Sequence, residues 1–435
     1  MQVKQEKFCV FPLGKDNSIF SYKKVVIMKK TLAAVAVLGA FAGSAFAADV
    51  TLYGRVDAGL NYTHQSVDGE KSTDDFSMKS GQYTGSRFGV KGSEQISEDL
   101  TVSFQLEHGF SIDSGKFSDS DRMFNREARL SVTTPFGEFG FGRMGGIDSG
   151  LGTYDLVGGA SPWGAGWGDY TGSMDAVFKG LTTRYDNMIT YKSPTFAGLT
   201  VIAQASLKQD TDADGDEGSH LADRYYALGV GAEYGAFAGA LTYSMQDYAG
   251  VAGRYTGAAA VGSLPTPVTK DAINDKDGHT VTAWGAYDFG VTKVSLGAQY
   301  FDNVAQQRGS LTGSLSYDAT KPTLGEGASY KYGEVDYGLT GYGLILGAVT
   351  PMFGGNLYTS VGYADYEQST ADTSEHEDTT KLWNVSVGYD YALSKRTKLY
   401  TAVSYTAQTD NEEEPNSKDV DTNTTEVMAG IVHYF

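Results

Sequence analysis

The chain has 435 residues, with 34 Lys and Arg against 53 Asp and Glu, and a formal net charge of −19. This acidic balance argues against a nucleic acid as a partner, and the 41% hydrophobic and 12% aromatic residues argue against disorder. After residue 47, no apolar run approaches the ~20 residues that a membrane-spanning helix needs, which excludes a helical membrane protein.

The first predicted element is an export signal. Met28-Lys29-Lys30 is a short basic start, Leu32 to Phe41 is an apolar stretch, and Ala45-Phe46-Ala47 is a small-x-small cleavage site. We therefore interpret residues 28–47 as a signal peptide. Residues 1–27 precede this better start and are interpreted as an over-extended translation start.

The mature chain would then comprise residues 48–435. Removing 47 of the 435 residues leaves 388, with 27 basic and 51 acidic side chains and a formal charge of −24. The single cysteine, Cys9, lies in the part removed. An exported chain without cysteine has no disulfide, metal thiolate or thiol nucleophile.

From Asp49 onward, apolar and polar residues alternate in short segments. In the first, Val50 to Leu60, the apolar residues share one phase, and Thr51, Arg55 and Asp57 fall in the other. A period of two indicates a β-strand with one apolar and one polar face. Nine further segments alternate in the same way: Leu100 to Leu106, Leu199 to Leu207, Tyr225 to Tyr234, Phe237 to Tyr243, Thr280 to Phe289, Val291 to Phe301, Leu357 to Tyr363, Leu382 to Tyr391 and Thr397 to Tyr405.

Short and long connectors alternate between these segments. The short ones are tight turns such as Gly235-Ala236, and the long ones are polar: 64–83, 112–122, 208–222, 248–277, 302–330, 368–379 and 409–423. A membrane barrel has short turns on one rim and long loops on the other, whereas a secreted β-sandwich, the alternative, has no reason to do so.

About sixteen strand candidates fit in the mature chain. In lipid every backbone polar group must be satisfied, so a spanning sheet must close on itself, with apolar residues outward and polar residues around a water-filled lumen. The abundance of tyrosine, 29 in the whole chain and all but Tyr22 in the mature part, fits aromatic girdles at the two membrane interfaces. The sequence therefore predicts an all-β protein, a sixteen-stranded antiparallel transmembrane β-barrel.

Six motifs follow one another along nearly all of the mature chain. They are Val50-Thr51-Leu52-Tyr53-Gly54-Arg55-Val56-Asp57, Ser86-Arg87-Phe88-Gly89-Val90-Lys91-Gly92-Ser93-Glu94, Phe124-Asn125-Arg126-Glu127-Ala128, Phe136-Gly137-Glu138-Phe139-Gly140-Phe141-Gly142-Arg143, Arg184-Tyr185-Asp186-Asn187-Met188-Ile189-Thr190-Tyr191-Lys192-Ser193-Pro194 and Gly430-Ile431-Val432-His433-Tyr434-Phe435. In this order they resemble the motifs of the Gram-negative general porins. The resemblance implies a homotrimer in the outer membrane whose third long loop folds into the pore. It also implies passive diffusion of small hydrophilic solutes and ions, without a cofactor or catalysis.

In that family a row of basic side chains on the wall faces acidic groups on the third loop, and the resulting field orients solutes at the constriction. By position, the resemblance assigns this row to Arg55, Arg87, Arg126 and Arg184. Alternation places Arg55 and Arg184 on the inward face, and it places Arg87 there together with Lys91.

Arg126 fails the same test of alternation. It shares the parity of the apolar residues Leu130 and Val132, whereas Arg129 shares the parity of Ser131. Alternation therefore favours Arg129 over Arg126 unless a bulge intervenes. We retain Arg126 on the strength of the motif.

The third loop should run roughly from Gly145 to Gly180. Its acidic residues are Asp148, Asp155, Asp169 and Asp175, which are the candidates for the acidic side of the constriction. The alternative for each is a hydrogen bond to its own loop backbone.

Acidic clusters in the long loops, at 210–217, 372–378 and 410–414, hold much of the excess negative charge. From them we expect a mild cation preference. They either form a solvated rim or bind divalent cations shared with lipopolysaccharide in the surrounding outer membrane.

The sequence carries no signature of an enzyme or of a metal site. The six histidines are scattered, and neither H-E-x-x-H nor G-x-S-x-G occurs. Two alternatives to a general diffusion channel stay open, a substrate-selective channel and, less favoured, an outer-membrane barrel enzyme. An adhesin role through the acidic loops is compatible with each of these.

Overall fold

The structure is a computed structural model that describes residues 49–164, 167, 174–181, 184–209, 217, 222–247, 277–304, 336–370, 377–411 and 418–435. The predicted signal peptide (28–47) and the segment 1–27 lie outside the described residues, as do most residues of the acidic clusters.

The described residues contain seventeen strands, which form one antiparallel sheet, a 3-10 helix at Gly158–Ala160 and a single α-helical turn. The helical turn is α1, Met174–Val177. The strands are β1 Thr51–Val67, β2 Thr73–Ser80, β3 Arg87–Ser97, β4 Leu100–Gly109, β5 Glu127–Thr134, β6 Gly137–Gly145, β7 Arg184–Lys192, β8 Leu199–Ser206, β9 Arg224–Tyr234, β10 Phe237–Asp247, β11 Gly278–Asp288, β12 Lys293–Val304, β13 Asp336–Met352, β14 Gly355–Thr370, β15 Glu377–Ser394, β16 Thr397–Asn411 and β17 Val420–Tyr434.

The sheet closes into a barrel because its first and last strands pair. The register of β1 on β17 runs from Arg55 opposite Tyr434 to Val67 opposite Thr422. On its other side β1 pairs first with β3 and then with β2, so these two strands occupy one position in the wall. Within the described residues, the predicted sixteen-stranded antiparallel barrel is therefore confirmed.

Alternation along the strands separates an apolar outer face from a polar inner face. In β1, Leu52 and Leu60 are 63% and 51% exposed on the outside, whereas Asp57 and Asn61 are buried within the barrel. An outer face of this kind suits contact with hydrocarbon, and closure satisfies the backbone. Among the described residues no helix has both the length and the apolar composition to span a bilayer.

The predicted long connector at 64–83 is wrong. β1 continues to Val67 and β2 occupies Thr73–Ser80, so the turn between them is only five residues long. Phe76 and Met78 still alternate in β2 and are exposed on the outer face. The polar residues around them fit a strand that extends beyond the hydrocarbon into water. A run of polar residues therefore does not mark the end of a strand in this region.

Candidate functional site

The wall is interrupted between β2 and β3, where residues 81–86 leave the sheet and turn into the barrel; we call this segment the inner excursion. It starts at Gly81, whose φ of 81° favours glycine. Asp57, fully buried on the inner face of β1, accepts a hydrogen bond from the Thr84 backbone N–H at 2.7 Å. Its backbone oxygen accepts the Ser86 hydroxyl at 3.2 Å, so Asp57 anchors the excursion.

The inner excursion orders two of the predicted arginines. Arg55 Nη1 and Arg87 Nη2 both donate to Thr84 Oγ1, at 3.1 and 3.2 Å, and Arg87 Nε donates to the Gly85 carbonyl at 2.8 Å. A Cβ atom at Gly85 would lie 3.4 Å from Arg126 Nη1, so the third arginine lies on the same side.

The carboxylate that pairs with this row comes from the wall, and sequence reasoning missed it. Glu107, on β4, is only 4% exposed and accepts Arg126 Nε at 2.7 Å. It also accepts the Tyr53 hydroxyl at 3.0 Å and lies 3.6 Å from Arg87 Nη1. Its place in the polar phase of β4 was the available signal.

Arg126 and Arg129 both lie inside, which resolves the conflict between motif and alternation. β5 begins at Glu127, so Arg126 precedes the strand, and alternation does not govern it. Arg129 lies on the inner face and donates to Tyr154 Oη at 3.3 Å and to Glu138 Oε1 at 3.3 Å.

Arg184 lies near the other arginines, but the regular alternation from which this was predicted is interrupted in β7. A register shift between Gly142 and Met144 changes the phase of β7, so that Tyr185, expected on the outer face, is 1% exposed and packed inside. Arg184 interacts electrostatically with Arg126 and with Glu107 and Glu127 of the wall.

Lys91 is exposed, with its ammonium 5.3 Å from the centroid of the Tyr53 ring. It follows Arg87 by four residues on the same strand. The predicted basic residues Arg55, Arg87, Arg126, Arg184 and Lys91 therefore lie on β1, β3, β7 and the residue before β5.

The third loop packs against the inner face of β9 to β16, and its Tyr154 also contacts Arg129 on β5 and Glu138 on β6. Trp284 Nε1, on β11, donates to the Leu156 carbonyl at 2.6 Å, and α1 contacts β13, β14 and β15. Phe178 and Val177 belong to a buried apolar cluster with Phe301, on β12. Burial of this cluster removes apolar surface from water and stabilises the loop on that side of the barrel.

The acidic residues of the loop are placed as follows. Asp148 is buried and accepts the hydroxyls of Tyr225 (2.6 Å) and Ser244 from the wall. Asp155 accepts two N–H groups of its own loop, at Val157 (3.1 Å) and Gly158 (2.9 Å). Asp175 lies on α1, and Asp169 lies outside the described residues.

Burial raises the pKa of two of the three described loop carboxyls, those of Asp148 and Asp155. The pKa of Asp155 rises to about 6, since desolvation outweighs its backbone hydrogen bonds. The pKa of Asp148 is raised for the same reason. The contacts of these two residues are with hydroxyls and N–H groups, so the described carboxylates that contact arginines of the row come from the wall.

Around the inner excursion, positive charge exceeds negative charge. The basic side chains are Arg55, Arg87, Lys91, Arg126, Arg129, Arg184 and Lys398, and the acidic ones are Asp57, Glu107, Glu127, Glu138 and Asp390. Seven against five leaves a formal charge of +2. Among the described residues, no group of three or more His, Cys, Asp or Glu is arranged to hold a metal ion.

Comparisons with known proteins agree with this architecture. The family model for Gram-negative porins matches residues 33–411. An outer membrane porin protein of Bordetella pertussis is 30% identical over 398 residues, which cover 87% of this chain and 94% of that protein. Outer membrane porin protein 32 of Delftia acidovorans is 27% identical, covering 86% and 88%.

Among solved structures, an anion-selective porin from Comamonas acidovorans has the same fold, with a TM-score of 0.57. It is 20% identical, and the match covers 89% of this chain and 100% of that one. The closed barrel, its inward charges and these matches together show that the chain belongs to the Gram-negative porin family and is an outer-membrane β-barrel channel.

Proposed function

We propose that this porin lets small hydrophilic solutes and ions diffuse passively across the outer membrane, without catalysis. The narrowest part of the channel lies between the third loop and the predicted basic residues. The loop's packing on the strands from β9 onward supports this, because it leaves the water-filled part of the lumen beside β1 and β3.

We propose further that this narrow part prefers anions. The acidic outer loops favour cations at the mouth, which is the basis of the mild cation preference expected from sequence. However, selectivity depends most on charges closest to a passing ion, and the charge around the inner excursion is +2. The single observation that carries the proposal is the location of Arg55, Arg87 and Arg126 around one segment, with Glu107 as the carboxylate between two of them.

Reversal potentials across a potassium chloride gradient in planar bilayers test the ion preference. We expect wild-type channels to give a potential on the anion side and the Arg87→Gln/Arg184→Gln variant to move it toward cations. Lys381→Gln is the matched control, because Lys381 is an exposed cation on β15, away from the row. A wild-type potential on the cation side would restore the preference predicted from the outer loops.

A specific solute that competes with the ion current would favour the substrate-selective alternative. We therefore propose to add sized neutral sugars and small carboxylates to the same channels. Equal reduction of current by solutes of equal size supports general diffusion, whereas saturable block by one of them supports a selective site.

We also propose a homotrimer surrounded by outer-membrane lipids and lipopolysaccharide, formed after cleavage behind residue 47. Family membership supports the assembly, and the pattern of residues 28–47 supports the cleavage. Three closing steps per insertion event, and a mature chain that begins at residue 48 by N-terminal sequencing, are the expected results.

A further inference from the structure

We propose that Tyr83, at the inner excursion, is a positioning residue that holds the third loop in place and thereby fixes the width of the channel. This inference rests on the proposed function, since it assigns a role within the same narrow part. It follows from three observations: the ring contacts of Tyr83, its polar contacts and the contacts of its chain neighbours.

The ring of Tyr83 contacts both the loop and the wall. Its centroid lies 4.9 Å from the ring of Trp167 in the third loop and 5.3 Å from that of Tyr400 on β16. The Trp167 backbone N–H also donates to the Tyr83 carbonyl. Trp167 has a φ of 61°, a conformation unusual for a residue other than glycine, which its surroundings must maintain.

Trp167 belongs to a buried aromatic cluster that joins the loop to β14 and β16. Trp163 and Trp167 are each 2% exposed, with ring centroids 5.0 Å apart. Trp163 lies 5.6 Å from Tyr358 and donates from Nε1 to Ser360 Oγ at 2.7 Å. Aromatic pairs of this kind contribute about 0.5–1.5 kcal/mol each beyond their buried area.

The hydroxyl of Tyr83 makes hydrogen bonds to charged side chains of the barrel wall. It donates to Asp390 Oδ2, on β15, at 3.0 Å and accepts from Lys398 Nζ at 3.3 Å. Tyr358 donates to the same carboxylate oxygen, also at 3.0 Å. These contacts hold Tyr83 on the β15 side of the barrel. The segment that contains Tyr83 nevertheless connects β2 and β3, which lie in the wall between β1 and β4.

The residues that follow Tyr83 hold the arginines. Thr84 accepts from Arg55 and Arg87, and the Gly85 carbonyl accepts from Arg87. One six-residue segment therefore contacts the basic row on one side and the third loop on the other. Displacement of its tip changes the distance between the two sides of the narrow part.

Single-channel recording of three variants tests this role. With Tyr83→Ala we expect conductance to rise roughly 1.5-fold, because a wider water-filled section carries more current, together with larger fluctuations of the open-channel current. Tyr83→Phe retains the ring and should show a smaller change. Tyr300→Ala, which removes a tyrosine from the outer face of β12, is the control and should conduct like the wild type.

A cysteine pair keeps the test decisive if Tyr83→Ala fails to fold. Oxidised Tyr83→Cys/Trp167→Cys should be cross-linked, with wild-type conductance and noise, and reduction should give the behaviour expected of Tyr83→Ala. Absence of a cross-link, or identical recordings in both redox states, overturns the inference. Unaltered recordings from folded Tyr83→Ala overturn it as well. Failure of the wild-type protein to form channels would instead refute the proposed function.

Discussion

Glu107→Gln is the substitution whose effect on selectivity follows most directly from the geometry. It removes one negative charge that lies 2.7 Å from Arg126 and 3.6 Å from Arg87, and the formal charge around the inner excursion rises from +2 to +3. At about 7 Å in water, one unit charge contributes about 0.6 kcal/mol to the energy of a passing ion, and screening in 0.15 M salt reduces this to about 0.25 kcal/mol.

Removing the negative charge lowers the energy of a passing anion and raises that of a passing cation by the same amount. The anion-to-cation permeability ratio should therefore rise roughly twofold near 0.15 M salt and up to roughly eightfold at low salt. The reversal potential of the variant in potassium chloride gradients, recorded at both salt concentrations, measures this ratio. Glu107→Asp retains the charge, and Glu94→Gln removes one from an exposed position on β3, so both serve as controls. A ratio that is unchanged, or that moves toward cations, would refute the electrostatic reasoning.

Three further predictions concern the third loop and are measured by thermal unfolding in detergent. Since the folded-state pKa of Asp155 is raised to about 6, the folded state binds more protons between about pH 4 and 6, and stability should fall as pH rises through that range; Asp155→Asn should remove this slope. Burial lowers the pKa of Lys179 to about 8, so the wild type should gain stability as pH rises from 8 toward 10.5, and Lys179→Met should show no such gain. Trp163→Phe removes the hydrogen bond to buried Ser360 and should cost about 1–3 kcal/mol, whereas Trp383→Phe on the outer face should cost less.

The barrel could be predicted from the sequence because its cause is local. Lipid outside and water inside impose a period of two on every strand, and Val50 to Leu60 displays it without reference to the rest of the chain. Where the backbone leaves the regular strand, the same rule fails. The bulge in β7 places Tyr185 inside, and the start of β5 at Glu127 frees Arg126 from alternation.

The candidate site was only partly predictable for the same reason. The motifs pointed to Arg55, Arg87, Arg126 and Arg184, whereas the pairing carboxylate, Glu107, lies on β4, which carries none of the six motifs. The loop acids Asp148 and Asp155 could be numbered, yet only the fold shows what their carboxylates contact.

By itself, the sequence determined the alternating strands, the closed barrel and the family, because alternation and motifs are properties of neighbouring residues. The tertiary structure decided which charges meet inside, and how residues 81–86 connect the arginines to the third loop. Tyr83 and Asp390 are 307 positions apart in the chain. Closure of the barrel brings them within hydrogen-bonding distance, and no local pattern records such a contact.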